Sequence, residues 1–438
     1  MPGLYNPSGS TSREIAADIE RAIAVGSLRP GDPLPSVRQI AAHLGVSPTT
    51  ASAAYADLRR RGMVIGQPRR RATVSTRPPL STPTEFMAPP GTRDLASGNP
   101  DAAFLPPFRW ALEQGEFEQH LYGAETMLPE LLAASAADFE ASGVDAGAQV
   151  VVNGAMDGIE RILESHLRPG DRVLVEDPTH AGIIDLIRSL MLVPVGVPID
   201  GEGPLPDETA SLLRDVRAAI VTPRAQNPTG SSIGRSRSRE LARAFADHPD
   251  VVLIENDHSG LVAGTPHFPI KRRDGPWAVV RSVSKTLSPD LRLGFVAGDE
   301  ETIARVHGRQ LVGVGWVSLV VQEIVARLSR DPRTLVLVAS ARETYGARRT
   351  AAIDALAAHG VTAYGRSGLN VWIPVRSEAE PAQGLLARGW ALKPGAPYRL
   401  SSAPFLRITT ATLEPDEAET LAADVAAVLR PAHRSKLA

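Results

Sequence analysis

The segment from which the fold follows most directly is residues 282–294, SVSKTLSPDLRLG, where a lysine, several hydroxyl side chains and an arginine lie close together. The apolar residues 278–280 before it predict a buried strand. The amine of Lys285 can bond to an aldehyde cofactor, and nearby hydroxyls and a guanidinium can hold a phosphate group. A solvated lysine in a surface loop is the simpler interpretation, so the surrounding sequence has to distinguish the two.

Four further segments place polar or small residues directly after predicted strands. They are residues 153–158 (NGAMDG), 176–180 (EDPTH), 222–230 (TPRAQNPTG) and 255–258 (ENDH). The apolar strands before them alternate with amphipathic helical stretches, which is typical of a parallel sheet with helical crossovers, an α/β fold. Because open α/β sheets bind ligands at the carboxyl ends of their strands, we expect these segments to form one site.

Several side chains of these segments suit a phosphorylated aromatic ligand. The backbone of Gly154 and Ala155 opens a helix and can cradle a phosphate, His180 can stack on a ring, and Asn227 can donate a hydrogen bond. Taken alone, each has a purely structural explanation as a turn or a packed side chain. Arg407 lies within an apolar segment and requires a carboxylate, either from a ligand or from an internal ion pair.

The N-terminal residues predict a separate small domain. Ser12 is expected to cap a first helix, Ser36 a second helix that ends at Gly45, and Ser47 a third that reaches about residue 61. Residues 62–74 predict two short strands around a basic tip, which completes a winged helix-turn-helix over residues 10–76. Residues 77–93 are rich in proline, serine and threonine and are interpreted as a linker to a second domain, residues 94–434.

The charge of the chain divides in the same way. Residues 1–80 carry 11 arginines and 5 acidic residues, whereas the whole chain has a formal net charge of −2. A basic domain on an acidic one indicates that the basic domain meets a polyanion, and polar residues at the start of the third helix are suited to reading DNA. The candidate DNA contacts are Arg38, Ser47, Thr49, Thr50, Ser52, Tyr55, Arg69, Arg70 and Arg71.

Composition excludes several classes of protein. The chain of 438 residues has no cysteine, which excludes disulfides, thiolate metal sites and cysteine nucleophiles, and no metal site is predicted. No apolar run approaches the ~18 residues of a membrane span, and the N-terminus does not have the pattern of a signal peptide. A cytoplasmic protein is therefore expected.

Two resemblances sharpen these predictions. Residues 26–42, 44–50 and 54–58 closely resemble the GntR family of bacterial repressors. Residues 94–430 look like a fold-type I, aspartate-aminotransferase-like domain with a C-terminal α+β small subdomain, and their most specific parts are residues 282–294 and the Asn-Pro-Thr-Gly segment that ends at Gly230. The combination is that of the MocR subfamily of regulators.

The second resemblance implies pyridoxal 5′-phosphate as the cofactor, with Lys285 as its covalent (aldimine) partner and catalytic residue. It also implies that Arg407 binds the carboxylate of an amine or amino-acid effector, and that Tyr122 reaches the phosphate held by the partner subunit of a homodimer. The full set of predicted cofactor contacts is Tyr122, Gly154, Ala155, Met156, His180, Asn227, Asn256, Asp257, His258, Ser282, Ser284, Lys285 and Arg292.

The chain departs from the family pattern at the strand end formed by residues 255–258. Asn256 stands where an aspartate normally pairs with the pyridine nitrogen, unless Asp257 takes over that role. Met156 replaces a usual glutamine, and a usual glycine is replaced around Thr126 and Met127. We expect these changes to reshape the pocket and to leave cofactor binding possible.

Three functions follow as hypotheses. The first is a DNA-binding transcription regulator that senses pyridoxal phosphate, or an amine bound to it, through Lys285. The second is a working aminotransferase with an accessory DNA-binding domain. The third is a DNA-binding protein whose large domain is a cofactor-free dimerisation scaffold, since a fold alone does not imply a function.

Overall fold

The computed structural model describes residues 5–24, 27–60, 62–65, 72–75, 88–272 and 274–430. They form two compact units. One unit contains the described residues up to 75 together with residues 168–171 and 185–193, and the other contains the remaining described residues. We call the described residues 5–75 the head and the described residues 88–430 the body.

The head contains three helices and a two-stranded hairpin, as the sequence predicts. The helices are α1 (Ser12–Ala24), α2 (Val37–Leu44) and α3 (Pro48–Arg60), and the strands are β1 (Val64–Ile65) and β2 (Thr73–Val74). The two strands pair antiparallel. Fully buried apolar side chains join the helices into one core, among them Ile15, Ile19, Leu34, Ile40 and Leu58.

Local capping explains where the head helices begin and end. The Ser36 hydroxyl accepts a hydrogen bond from the Gln39 N–H while the Gln39 side chain accepts from the Ser36 N–H, and Gly45 ends α2 with a φ of 66°. The Ser47 hydroxyl accepts from the Thr50 N–H at 3.1 Å. These caps are confirmed. The predicted cap of α1 is wrong by one residue, because the hydroxyl that accepts the Glu14 N–H belongs to Thr11.

The larger part of the body is an α/β layer. Its strands and those of the adjoining subdomain are β3 (Arg93–Asp94), β4 (Gln149–Val152), β5 (Arg172–Asp177), β6 (Val193–Asp200), β7 (Gly203–Pro204), β8 (Ala218–Val221), β9 (Val252–Asp257), β10 (Trp277–Ser282), β11 (Gly294–Gly298), β12 (Asn370–Pro374), β13 (Trp390–Ala391), β14 (Lys393–Pro394) and β15 (Phe405–Thr409). The helices are α4 (Arg109–Leu112), α5 (Pro129–Ala141), α6 (Ala155–His166), α7 (Ala181–Ser189), α8 (Pro206–Leu213), α9 (Arg235–Ala246), α10 (Glu300–Val312), α11 (Leu319–Arg330), α12 (Pro332–Ala358), α13 (Ala379–Leu386) and α14 (Pro415–Leu429).

The main sheet has eight strands in the order β4-β11-β10-β9-β8-β5-β6-β7. Strands β5, β8, β9 and β10 are parallel to one another, whereas β11 is antiparallel to both of its neighbours, β10 and β4. Every residue of β8 and β9 is buried, as expected for strands covered on both faces. The carboxyl ends of the parallel strands therefore meet at one edge, which is where the predicted site residues lie.

A smaller α+β subdomain is built mainly from the C-terminal residues. Strands β12, β15 and β14 form an antiparallel sheet, and β3 pairs with β13. Its core joins these strands to α12, α13 and α14. Arg93, the last residue of the predicted linker, already belongs to this subdomain, because it pairs with Trp390 and its guanidinium lies 2.8 Å from Glu417. The predicted α+β small subdomain is confirmed.

Among the described helices, even the 27-residue α12 lacks the sustained apolar character that crossing a bilayer requires.

Candidate functional site

A cavity of about 200 Å³ lies at the carboxyl ends of the parallel strands. It brings together all five segments that the sequence predicts as one site. Its lining consists of Gly98, Ala155, Met156, His180, Thr222, Ala225, Asn227, Asn256, His258, Ser259, Ser282, Ser284, Lys285, Arg292, Leu369 and Asn370.

Lys285 is held inside this cavity rather than in solvent. Its ammonium donates a hydrogen bond to the Gly98 carbonyl, with an N–O distance of 2.7 Å. Burial, and then the positive charge of Arg407, lower the pKa of Lys285 to about 8. A lysine with a lowered pKa has a larger fraction of neutral amine, which is the form that attacks an aldehyde.

One corner of the cavity is suited to a phosphate. Gly154 precedes α6 with a φ of +90°, and a Cβ placed on it would lie only 3.0 Å from Nη2 of Arg292. The glycine therefore lets the guanidinium lie against the backbone at the positive end of a 12-residue helix. The hydroxyl of Ser282 donates to that of Ser284 at 2.9 Å, and both residues line the same cavity as Arg292.

The three predicted cofactor contacts at the end of β9 point to two different faces of the strand. Asn256 and His258 line the cavity, whereas Asp257 does not. Asp257 is fully buried and accepts hydrogen bonds from Arg224 and Arg281, each at 2.8 Å. The prediction that Asp257 contacts the cofactor is wrong, because successive side chains of a strand point to opposite faces and two guanidinium groups occupy its carboxylate.

Two polar atoms of this wall have no partner within the described residues. Oδ1 of Asn256 and Nδ1 of His258 are buried without a hydrogen bond. Burial is the main cause that lowers the pKa of His258 to about 4 and that of His180 to about 3, and the charge of Lys285 contributes to both. Buried polar atoms are nearly always paired, so this wall is built to meet polar atoms of a ligand.

Arg407 is buried on β15 without a carboxylate partner among the described residues. Nη1 donates to Oδ1 of Asn227 at 2.9 Å and to the Tyr398 hydroxyl at 2.8 Å, and Nη2 donates to the Ala96 carbonyl. Its Nε has no partner in the described part of the chain. The alternative of an internal ion pair is therefore not realised among the described residues. Arg407 does not itself line the cavity but lies behind Gly98, where a Cβ would be 3.3 Å from Nη2.

Tyr122 lies outside the cavity of its own chain. Its side chain is 94% exposed and its ring makes an edge contact with Trp316, with 5.9 Å between the ring centroids. The predicted contact with a phosphate in a partner subunit stays a prediction.

Gly98 and Tyr398 are site residues that the sequence analysis missed. Gly98 has a φ of +74°, its carbonyl accepts from Lys285, and a Cβ on it would lie 3.3 Å from Nη2 of Arg407. The only signal for Gly98 was a Ser-Gly-Asn-Pro turn, which any loop could contain. Tyr398 had no recognisable signal.

The head carries a surface groove formed by the start of α2 and one face of α3. Arg38, Thr49 and Ser52 line it, together with Arg59, which the sequence analysis missed. Arg59 follows Ser52 by seven residues, a spacing that places both on one face of α3. Ser47 is exposed but its hydroxyl is engaged in capping, together with the half-buried Thr50.

Tyr55 and the three arginines of the predicted wing tip differ from the other predicted DNA contacts. Tyr55 also lines this groove, but it is only 1% exposed and its hydroxyl donates to the Pro35 carbonyl, so the structure does not support the predicted DNA contact. It belongs to the apolar stripe of α3 formed with Ala51, Ala54 and Leu58, which faces the core. Arg69, Arg70 and Arg71 lie outside the described residues.

Family comparisons agree with both domains. The family model for aminotransferase class I and II matches residues 93–425, and that for bacterial regulatory proteins of the gntR family matches residues 11–74. The chain is 37% identical over 424 residues to the vitamin B6 salvage pathway transcriptional repressor PtsJ of Salmonella typhimurium, covering 95% of this chain and 98% of that protein. The chain is a MocR-type regulator of the GntR family. A transcription regulator is thereby favoured over a working aminotransferase with an accessory domain.

Other relatives are more distant. The HTH-type pyridoxine biosynthesis transcriptional regulator PdxR of Corynebacterium glutamicum is 28% identical over 313 residues, which is 68% of each chain. Among solved structures, the kynurenine aminotransferase of Pyrococcus horikoshii shares the fold with a TM-score of 0.71 and 19% identity, over 78% of this chain and 91% of that one.

Pyridoxal 5′-phosphate is the cofactor of this MocR-type body, and the residues present fit it. The chain offers an amine at Lys285, an anion site at Arg292 and the start of α6, and unpartnered polar atoms on Asn256 and His258. When bound, the cofactor supplies an aldehyde that condenses with amines and a ring that withdraws electrons.

Proposed function

We propose that this regulator controls genes of vitamin B6 metabolism by sensing pyridoxal phosphate, or an amine bound to it, at Lys285. The observation that carries the proposal is a buried amine in a cavity with a phosphate corner, joined in one chain to a DNA-binding head. The name of the Salmonella relative supports vitamin B6 as the regulated pathway and repression as the direction of control. The proposal includes action in the cytoplasm, which the match to a family of bacterial DNA-binding regulators supports.

The proposed residues for the cofactor divide by the part they hold. Lys285 bonds to the aldehyde carbon, while Ser282, Ser284, Arg292 and the backbone at Gly154–Ala155 hold the phosphate. His180 covers a face of the ring, Asn227 bonds to its hydroxyl, and Met156, Asn256 and His258 complete the wall. Ten of these eleven residues line the cavity, and Gly154 lies against Arg292.

The second part of the signal is a small amine or amino acid. Arg407 supports this because it is a buried cation with no acidic partner in the described chain, and Asn227 ties it to the cavity wall at 2.9 Å. A carboxylate is the ligand group that pairs best with such a guanidinium. Because a ligand shifts an equilibrium only if it binds two states differently, we propose that its exchange with Lys285 closes the body and re-spaces the two heads on the operator.

The proposed function also requires that the protein forms a homodimer. Leu121 and Tyr122 are 80% and 94% exposed, and Val312 and Val314 are 91% and 63% exposed. Large apolar side chains exposed in this number are typical of a covered interface. A two-fold dimer would bring two heads to two half-sites of double-stranded DNA, and Tyr122 would reach the phosphate in the partner subunit.

Visible absorption and operator binding test the proposal together. The purified protein is expected to retain pyridoxal phosphate through dialysis with an absorbance band of the bonded cofactor, and its operator affinity is expected to change when the cofactor is added. Lys285→Ala should abolish both responses. Lys271→Ala, which removes an exposed lysine outside the cavity, is the matched control and should keep both. A wild-type protein without the band, whose operator affinity Lys285→Ala leaves unchanged, would disprove the sensor.

A further inference from the structure

No aspartate or glutamate lines the described cavity. The charged side chains on its wall are Lys285 and Arg292, and Arg407 lies directly behind Gly98. The two histidines of the wall, His180 and His258, have pKa values lowered to about 3 and 4, mainly by burial, so they are neutral at physiological pH. The protein side chains around a bound ring are therefore neutral or positive.

The acidic residues near the cavity are turned away and already occupied. Asp257 pairs with Arg224 and Arg281 on the other face of β9. Asp177 accepts from the N–H and hydroxyl groups of Ser401 and Ser402.

Three more acids lie close by. Glu255, which precedes Asn256, accepts from the Ile270 N–H and lies 2.9 Å from Nε2 of His267. Asp94, the acid that acts on Arg407 electrostatically, accepts from the Ala96 N–H at 2.8 Å. Glu176 accepts from the Thr222 N–H, and burial raises its pKa to about 7, so it carries at most part of a negative charge. None of these five acids is on the cavity wall.

We propose that this cavity holds pyridoxal phosphate with its ring nitrogen unprotonated. The inference deepens the proposed function and rests on it. A protonated ring nitrogen is a cation, and a buried cation is unfavourable where the described wall offers no carboxylate to pair with it. The amide of Asn256 can exchange a hydrogen bond with the ring nitrogen in either protonation state, but it supplies no charge to hold a proton there.

This protonation state decides what happens to the effector. An unprotonated ring withdraws electrons more weakly, so an amine that exchanges with Lys285 is not driven on to lose its α-proton. The site then binds its amine reversibly and releases it unchanged. Such a site reports the concentration of the amine without depleting it, which is the property a sensor requires.

Nitrogen-15 NMR of the full-length protein loaded with pyridoxal phosphate labelled at the ring nitrogen tests the inference. The expected chemical shift is that of an unprotonated pyridine throughout the neutral range of pH. A protonated shift in the wild-type protein would overturn this inference and leave the proposed function standing. A cofactor signal that stays at its free position would overturn both.

Asn256→Asp supplies the missing charge and gives a second test. The labelled nitrogen is expected to move to the protonated shift. Incubation with L-alanine should release pyruvate faster than the wild-type protein does, in a single turnover that consumes one water and leaves the amino group on the cofactor as pyridoxamine phosphate. Asn256→Ser is the control, because it shortens the side chain without adding charge, and its ring nitrogen should stay unprotonated. If the ring nitrogen stayed unprotonated in Asn256→Asp with the labelled cofactor bound, the charge of the cavity wall would not determine its protonation state. That result would overturn the inference.

Discussion

Arg224 and Asp257 form a two-point ion pair in the interior of the body, with Nε and Nη2 of the arginine each 2.8 Å from a different carboxylate oxygen. The same carboxylate accepts from Nε of Arg281. Arg224 precedes Asn227, Asp257 lies between Asn256 and His258, and Arg281 precedes Ser282. One buried acid therefore joins three segments that line the cofactor cavity, although it does not touch the cavity itself.

Replacing this acid should affect both stability and cofactor binding. Asp257→Asn leaves the buried guanidinium of Arg224 without its carboxylate, whereas Arg281 keeps its ion pair with Asp138. Breaking such a buried pair costs about 3–5 kcal/mol. We expect a lower free energy of unfolding in denaturant and a weaker affinity for pyridoxal phosphate. Asp200→Asn, which removes an exposed partner of Arg237, is the control and should cost about 0–1 kcal/mol. Equal stability of the two variants would contradict a special role for Asp257.

The reaction of the cofactor-free protein with pyridoxal phosphate should depend on pH through Lys285. Its pKa is lowered to about 8, so the neutral amine, and with it the observed rate, should increase as the pH is raised through about 8. Stopped-flow absorbance measures this profile.

Arg407 is the second cause of that shift, after burial. Arg407→Met should therefore move the midpoint of the profile to higher pH, whereas Arg407→Lys, which keeps the charge, should leave it near the wild-type position. A profile that is flat from pH 7 to pH 9 would show that the amine does not titrate as its surroundings predict.

Gly154 can be tested separately as a phosphate-corner residue. Gly154→Ala places a Cβ against the Arg292 guanidinium and also forces alanine into a φ of +90°. Gly143→Ala has a similar φ of +78° but no atom within 4 Å of the new Cβ, so it isolates the backbone strain. Both variants should lose stability to a similar extent, and only Gly154→Ala should bind pyridoxal phosphate and inorganic phosphate more weakly in titrations. Similar cofactor affinities would refute the steric argument.

The groove on the head predicts how operator binding responds to salt. Arg38→Gln and Arg59→Gln should each weaken binding on all DNA sequences and reduce the salt slope by about 1, because each removes one phosphate contact. Arg13→Gln removes an exposed arginine outside the groove and should change neither quantity. Ser47 and Thr49 substitutions should alter sequence preference more than affinity. Fluorescence anisotropy across a salt series separates these effects. Unchanged salt slopes for the Arg38 and Arg59 variants would mean that the DNA does not bind in this groove.

Tyr55 provides a test of the corrected assignment. Tyr55→Phe removes the hydrogen bond to the Pro35 carbonyl and should destabilise the head by about 1 kcal/mol. Sequence preference on a panel of operator variants should remain that of the wild-type protein. A changed preference would mean that Tyr55 reaches the DNA after all.

Much of this molecule follows from local patterns in the chain. Apolar segments with helical crossovers predict the parallel strands, and Ser36, Gly45 and Ser47 mark helix ends because capping depends on a few neighbouring residues. Lys285 and the polar strand ends could be assigned to one edge, since parallel strands end together. The burial of Tyr55 also follows from the sequence, because Ala51, Ala54 and Leu58 place it on an apolar stripe of α3.

Other features depend on contacts between distant parts of the chain. Whether Asp257 faced the cofactor was settled by two arginines, 33 and 24 residues away, that bind its carboxylate on the other side of the sheet. The unpaired charge of Arg407 and the absence of an acid from the described cavity wall became visible only after folding. Periodicity and capping act within a few residues, whereas the direction in which a buried charge points depends on partners that only folding brings within reach.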